Sequence, residues 1–278
     1  MKTNELIHKG SNFLRDNRII SSKIDSEIIL SHILGISRER LLTSDTDVHP
    51  DKIEKFRSLI LRRSKSEPIA YIIKKKEFRS INFFVDKNSL IPRPETELLI
   101  DPIVSIFRKK PIFFLDAGIG TGCIIFSLLK ELKKSKAIGI DSCKKTILNA
   151  KKNLINLKLQ NRVKILHKPI NMVFGFKFDL IVSNPPYVVK RDIKRLSNDI
   201  KIYEPRVALD GGNDGLDVIR KVIYKSKYIL KSKGILALEI GNGQYKEVFR
   251  MLKRNNFKLK DIIKDYQNNI RCIFSTLL

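Results

Sequence analysis

Phe113-Phe114-Leu115-Asp116-Ala117-Gly118-Ile119-Gly120-Thr121-Gly122 decides the fold. A continuous apolar run closed by an acid and then three glycines at alternate positions is how a buried strand turns tightly into a helix. Working outward, Ile112–Asp116 reads as the first strand and Cys123–Leu132 as the helix after it. Short apolar runs at Ala137–Asp141, Val163–Leu166, Phe178–Ser183 and Ile235–Ile240 predict further strands, with amphipathic helices at Lys144–Leu157, Leu216–Leu230 and Gln244–Arg254. Phe257–Lys264 and Ile270–Phe274 predict an antiparallel pair at the far edge. Strands alternating with helices in this way specify a doubly wound α/β sheet.

Upstream the periodicity changes. Ile24, Ile28, Ile29, Ile33 and Leu34, then Ile53, Phe56, Leu59 and Ile60, fall at helical spacing, so residues 1–70 read as a small helical module closed by Pro68. Tyr71–Phe78 and Ile81–Val85 read as two strands meeting at Arg79-Ser80, which makes 71–90 a β-hairpin linker and leaves 91–278 for the catalytic domain. A chain of 278 residues is long enough for both modules.

A glycine-rich turn between strand and helix suits any adenosine-bearing ligand, because side chains at Gly118, Gly120 and Gly122 would keep the backbone away from it. The dinucleotide pattern requires a further glycine where this chain has Cys123. That departure favours a methyl donor, S-adenosyl-L-methionine, over a nicotinamide cofactor. Asp141, ending the second strand, is placed to accept hydrogen bonds from both ribose hydroxyls, or alternatively to cap the helix from Lys144. Asp116 is expected near the donor's cationic methionine end, and Thr121 either faces the ligand or caps the next helix.

Leu180-Ile181-Val182-Ser183-Asn184-Pro185-Pro186-Tyr187 puts a carboxamide and two prolines directly off the carboxyl end of another apolar strand, the edge where open α/β sheets bind ligands. An amide or aromatic amine nitrogen has a delocalised lone pair and attacks poorly unless its hydrogens are held by acceptors. The Asn184 oxygen and the Pro185 carbonyl supply two acceptors, and proline fixes the direction of its own carbonyl. Tyr187 is expected to wall the flat acceptor group, so the candidate catalytic pair is Asn184 and Pro185 and the substrate site Asn184, Pro185, Pro186 and Tyr187. Orientation is then the main lever on rate, worth up to about 7–11 kcal/mol.

Composition narrows the setting. The 55 Lys and Arg against 29 Asp and Glu give a net charge of +26, which draws a protein toward polyanions such as RNA or the ribosome. The basic pairs are scattered, as at Lys144-Lys145 and Lys190-Arg191, and a codon bias toward Lys, Ile and Asn accounts for the charge equally well. No apolar run reaches membrane-helix length and the first residues lack a signal-peptide core, so a cytoplasmic protein is expected. Cys123, Cys143 and Cys272 form no C-x-x-C pair, and His8, His32, His49 and His167 have no partner acids, so no metal is expected.

The chain resembles the bacterial release factor N5-glutamine methyltransferases over nearly its whole length. The resemblance rests on Ile91-Pro92-Arg93-Pro94-Glu95-Thr96-Glu97, the glycine loop, Ser183-Asn184-Pro185-Pro186-Tyr187, and Tyr203-Glu204-Pro205-Arg206-Val207-Ala208-Leu209 with Gly211-Gly212 and Asp214-Gly215-Leu216. It implies a Rossmann-like methyltransferase sheet behind a helical release-factor-binding module. It also implies methylation of the glutamine in a Gly-Gly-Gln loop, with Gly118, Ile119, Gly120, Thr121, Gly122, Asp141, Ile170 and Asn184 at the donor. Two departures stand out: Lys168-Pro169-Ile170 replaces an acid followed by an aromatic or leucine, leaving Ile170 as the adenine contact, and Ile119 stands where threonine is frequent. Two other readings compete. One is a nucleic-acid methyltransferase acting on adenine N6 or guanine N2, and the other is a basic RNA- or ribosome-binding protein without catalysis.

Overall fold

The computed structural model describes all 278 residues and divides into two compact units. The first comprises residues 1–75 together with 197–203. Its helices are α1 (Thr3–Asp16), α2 (Ser22–Leu34), α3 (Arg38–Thr43), α4 (Pro50–Ser64) and α5 (Ile69–Ile73). Leu6, Ile7 and Leu14 of α1 pack with Ile29, Leu30, Phe56 and Ile60 into one core. Gly10 lets the Phe56 ring and Ser26 approach α1 more closely than any side chain would allow. Helix α4 starts with proline at its first turn, where no N–H is needed, and α2 stops at Gly35 in the left-handed conformation. Buried Asp25 and Glu27 on α2 are paired with Arg63 and Arg38, each at 2.6 Å.

The second unit, residues 76–196 and 204–278, carries a hairpin and a seven-stranded sheet. The hairpin is β1 (Lys75–Phe78) and β2 (Ile81–Phe84), followed by α6 (Ile100–Phe107). The expectation of a strand from Tyr71 fails: Tyr71–Ile73 is the end of α5 because Tyr71 and Ile72 are buried as helical residues, and the strand begins only after Lys74 at φ 54°. The sheet proper follows as β3 (Phe113–Ala117), α7 (Cys123–Glu131), β4 (Lys136–Asp141), α8 (Lys144–Asn156), β5 (Val163–His167) and β6 (Phe178–Ser183). After α9 (Asn198–Tyr203), which clusters with the helical unit, come α10 (Asp217–Ile229), β7 (Leu230–Glu239), α11 (Tyr245–Arg254), β8 (Phe257–Lys264) and β9 (Ile270–Leu277).

The strand order is β5-β4-β3-β6-β7-β9-β8, parallel through β7, with β9 inserted antiparallel between β7 and the edge strand β8. Successive residues point to opposite faces, and both are apolar, as a parallel sheet covered by helices requires. Phe114, Leu180, Val182 and Ala237 join α6, α7 and α8 on one side, while Leu115, Ile181, Leu236 and Leu238 join α10 and α11 on the other. The chain builds outward from β3 to β5 and then returns to place β6 on the other side of β3. This reversal opens a crevice at the carboxyl ends.

Asn153 of α8 fastens the hairpin to the sheet. Its oxygen accepts from the Phe84 N–H at 2.7 Å, and its amide donates to the carbonyls of Phe84 at 3.0 Å and Thr121 at 2.9 Å. Asn153 and Thr121 are buried and Phe84 is half-buried, so Asn153→Ala leaves three backbone groups without their partner. A stability loss of about 2–4 kcal/mol is expected, read as a lower denaturant midpoint at unchanged slope; a loss below about 0.5 kcal/mol removes Asn153 from this role.

Candidate active site

Strand β6 pairs with β3 so that Val182 lies beside Asp116, and the Ser183 hydroxyl donates to the Ala117 carbonyl at 2.5 Å. The glycine loop and Asn184 therefore leave neighbouring strands at the same edge. Between them lies a cavity of about 750 Å³ lined by Gly118–Thr121, Asp141, Lys168–Asn171 and Asn184–Pro186. That volume is typical of a small-molecule site.

The Gly118 and Ile119 N–H groups both donate to the Ile140 carbonyl, at 2.9 and 2.8 Å, and bind the loop to β4. Gly118 has φ 88° and Gly120 φ 56°, and a Cβ on Gly118 would meet nothing within 4 Å. The space in front of that glycine is open, on the wall of the cavity. Ile119 lines the cavity but packs its side-chain tip within 2.2 Å of where a Cβ on Gly139 would stand, so threonine versus isoleucine here is largely a core matter. Ile170, also on the wall, belongs to the apolar cluster under α10.

Asp141 accepts from the Cys143 N–H at 2.9 Å and the Gly120 N–H at 3.3 Å. It makes a turn with Cys143, and Cys143, not Asp141, caps α8. Burial raises the Asp141 pKa, offset by the Cys143 and Gly120 N–H groups. A carboxylate so placed gains from hydroxyl donors, which is what a ribose edge offers.

Several expected residues stand elsewhere. Gly122 is off the cavity wall: its φ is 84° and a Cβ would fall 2.0 Å from the Phe126 ring, so close packing demands glycine there. Thr121 lines the cavity but does not cap α7, whose N-cap is Gly122; its buried hydroxyl has no oxygen or nitrogen partner. Asp116 is fully buried beneath the wall, with both oxygens lacking partners, and burial raises its pKa well above normal. A cation settling nearby would favour the charged form of such a buried carboxyl, which suits a ligand with a cationic end. Tyr187 is not a wall either: its ring packs against the apolar core and its hydroxyl donates to Glu239 at 3.1 Å.

That carboxylate organises the reaction side. Glu239, fully buried at the end of β7, accepts from the Thr96 hydroxyl at 2.6 Å as well as from Tyr187. With its proton committed to Glu239, the Thr96 oxygen is left to accept from the Asn184 amide nitrogen at 3.0 Å. The chain of donors runs one way, so the Asn184 carbonyl oxygen is the end left without a protein partner, on the cavity wall. Burial pushes the Glu239 carboxyl up to about 7, against the lowering influence of Thr96, Tyr187 and Arg271. Gln244 steadies the same loop, donating to the carbonyls of Tyr187 and Gly215, both at 3.1 Å.

Arg93 and Glu204, which stand in the motifs that carry the resemblance but were given no role there, tie the two motifs together. Glu204 accepts from the Arg93 guanidinium at 2.5 Å and from the Ile91 N–H at 3.3 Å. Pro92, Arg93, Arg206 and Val207 thereby become one wall of the cavity.

Two glycine substitutions separate packing from binding. Gly122→Ala is expected to cost about 2 kcal/mol or more, because both the positive φ and Phe126 resist it, and to show in denaturant unfolding. Gly118→Ala meets no protein atom and should cost only about 1–2 kcal/mol of backbone strain while weakening S-adenosylhomocysteine binding in calorimetry. Equal stability losses with intact binding in both overturn the distinction.

Comparison with known proteins gives the family of the chain. Residues 5–73 match the model of the PrmC N-terminal domain and residues 94–202 that of the methyltransferase small domain. The release factor glutamine methyltransferase of Clostridium acetobutylicum is 34% identical over 284 residues, covering 99% of this chain and 98% of its own. That of Buchnera aphidicola subsp. Schizaphis graminum is 38% identical over 253 residues, covering 91% of each. Among solved structures, a methyltransferase from Pyrococcus furiosus shares the fold with TM-score 0.52 at 17% identity, over 79% of this chain and 96% of its own. These relatives do not favour the nucleic-acid or non-catalytic readings. The chain belongs to the release factor glutamine methyltransferase family.

Proposed function

We propose that this protein transfers a methyl group from S-adenosyl-L-methionine to the side-chain amide nitrogen, N5, of the glutamine in the Gly-Gly-Gln loop of peptide chain release factors, in support of translation termination. The observation that carries this reading is the Asn184 carboxamide, turned by Thr96 and Glu239 so that an unpartnered acceptor faces the cavity beside the glycine loop.

When bound, the donor supplies a methyl group on a sulfonium sulfur that departs as a neutral thioether. Gly118 to Gly120 and Asp141 would hold it, with Ile170 on the same wall as the candidate contact for its adenine. The Asn184 oxygen and the Pro185 carbonyl accept the two N–H bonds of the glutamine amide, which fixes the plane of the nitrogen and leaves its face toward the methyl group. Pro186 closes the same wall, and Tyr187 acts by anchoring the turn. The C–S bond breaks as the N–C bond forms, and the nitrogen, acidified by alkylation, gives one proton to solvent. No strong base is needed: Glu239 reaches the site only through Thr96 and Tyr187.

Residues 1–74, which include α5 where the hairpin was expected to start, are read as the release-factor-binding module, 75–90 as the hairpin linker and 91–278 as the catalytic domain. No helix is long and apolar enough to cross a membrane, and the cytoplasm is the proposed place of work. The net charge of +26 supports weak association of the basic surface with RNA or the ribosome.

Labelled donor incubated with purified release factor should label the Gly-Gly-Gln glutamine. Transfer to RNA and not to the release factor overturns the proposal. Asn184→Ala should reduce kcat at least a hundredfold while leaving S-adenosylhomocysteine affinity within about threefold, whereas Asp141→Ala should raise that Kd tenfold or more. A near-normal rate in the first, or an unchanged Kd in the second, removes the assigned role.

The pH profile tests the one-way chain. Below about 7 Glu239 is protonated and no longer fixes the direction of the Thr96 hydroxyl. Turnover should therefore rise with pH through that region. Glu239→Gln should flatten this limb and lower kcat more than it raises KM; an unaltered profile excludes Glu239 as the positioning group.

A further inference from the structure

A second cavity adjoins the catalytic one, sharing Asn171 and Lys221 with it, between the loop of residues 171–177 and the exposed face of α10. It measures about 770 Å³. Phe174, Tyr224 and Tyr228 line it although each is at least half exposed, at 69, 59 and 50%. Large aromatic faces left open on a protein surface signal a contact still to be made. Lys177, Lys221 and Lys225 complete the wall, and no carboxylate does.

Lys225 is the most telling group. It is only 8% exposed, yet it has no ion pair and no hydrogen bond; its ammonium rests on the Phe174 ring, 3.6 Å from the centroid. A buried ammonium with only a ring for company is favourably placed for an anion. The groove is also preformed. The Lys177 ammonium donates to the Tyr228 carbonyl at 2.9 Å, pinning the loop to α10, and Phe176 stacks on Phe178, with ring centroids 5.8 Å apart. Tyr224 and Tyr228, one helical turn apart, stand edge to face at 5.2 Å with their hydroxyls 3.3 Å apart.

We infer that this groove binds a segment of single-stranded RNA, with bases stacked on Tyr224, Tyr228 and Phe174 and phosphates at Lys225 and Lys221. The inference rests on the reading of the basic surface as RNA-associating and gives that association a location. Aromatic rings interleaved with cations are the recognition chemistry of unpaired nucleotides. An acidic peptide would use the lysines but leave the three rings unexplained. The tyrosine hydroxyls and the Asn171 amide, also on the wall, offer partners to a 2′-hydroxyl.

The test is fluorescence anisotropy of a labelled uridine 12-mer with the full-length protein, at low and near-physiological salt. Tyr224→Ala/Tyr228→Ala leaves the net charge unchanged and should weaken binding about tenfold or more, and Phe174→Leu and Lys225→Gln should each weaken it several-fold. The control is Lys133→Gln/Lys134→Gln, which removes two exposed charges elsewhere and should shift the Kd less than about threefold. Methyl transfer to release factor by the tyrosine variant, expected to be unchanged, verifies its fold. If the control pair weakens binding as much as the tyrosine pair, or the tyrosine pair has no effect, the groove is wrong while a diffusely basic surface survives. If the unaltered protein binds no 12-mer even at low salt, both readings fail. If uridine monophosphate binds as tightly as the 12-mer, the site takes single nucleotides and the strand proposal is overturned.

Discussion

The parallel pairing of β3 with β6 is the constraint on which everything else depends. Because both faces of these strands are buried, a slip of one residue would turn Leu115, Ile181 and their neighbours to the wrong layer, so packing fixes the register. The same register brings Ser183 to Ala117 and makes the two loops diverge from one point. Neither loop has to find the other through flexible chain. The sheet delivers donor side and acceptor side to a common edge before any ligand arrives, which is the geometric condition for catalysis by orientation.

The reaction side depends in turn on a carboxylate placed at an unfavourable position. Raising a buried acid from 4.5 to about 7 means that the folded state holds a proton the unfolded state has already lost. Stability from this group is therefore lost as pH rises between those values, on the order of 3 kcal/mol at full ionisation. What the ionised form provides is direction. An acceptor at the head of the chain forces Thr96 to donate away from Asn184, and the amide then has one favourable orientation. A neutral residue in place of Glu239 would fill the space without imposing that polarity, which is why the site tolerates an expensive group two steps from the chemistry.

Much of the fold was legible because double-sided burial writes strands as continuous apolar runs, and Phe178–Ser183 and Phe257–Lys264 fall where the sequence put them. Tyr71-Ile72-Ile73 misled for the same reason: three bulky apolar residues look like a strand, but they form the last turn of α5, with Ile72 and Ile73 packed in the helical core. At the site, the residues next to chain turns were visible and their supports were not. Thr96 lies 88 residues from Asn184 and 143 from Glu239, distances over which no periodicity carries information. A carboxylate closing an otherwise apolar strand, Ile235–Ile240, was the one available signal. At Gly122 the sequence left a second demand unseen, because it does not distinguish a glycine needed by a ligand from one needed by the neighbouring Phe126 ring.

The two most distinctive motifs, around Arg93 and around Glu204, are explained without giving either a chemical step. The chain leaves the catalytic unit after Leu196, contributes α9 to the helical unit, and returns at Glu204. The returning segment is held at its far end by a parallel bridge between Asp210 and Val188, whose N–H and carbonyl pair with the Leu209 carbonyl and the Gly211 N–H, and at its near end by a side-chain interaction. Glu204 supplies one that is buried, charge-assisted and directional, reaching both the Arg93 guanidinium and the Ile91 N–H. Arg206 and Val207 then arrive on the cavity wall opposite the glycine loop, while Thr96, three residues beyond Arg93, arrives beneath Asn184. The ion pair thus joins the segment that carries Arg206 and Val207 to the one that carries Thr96, so losing it should disturb geometry at two places through a single cause, with the bridge at Val188 and Asp210 still holding the far end.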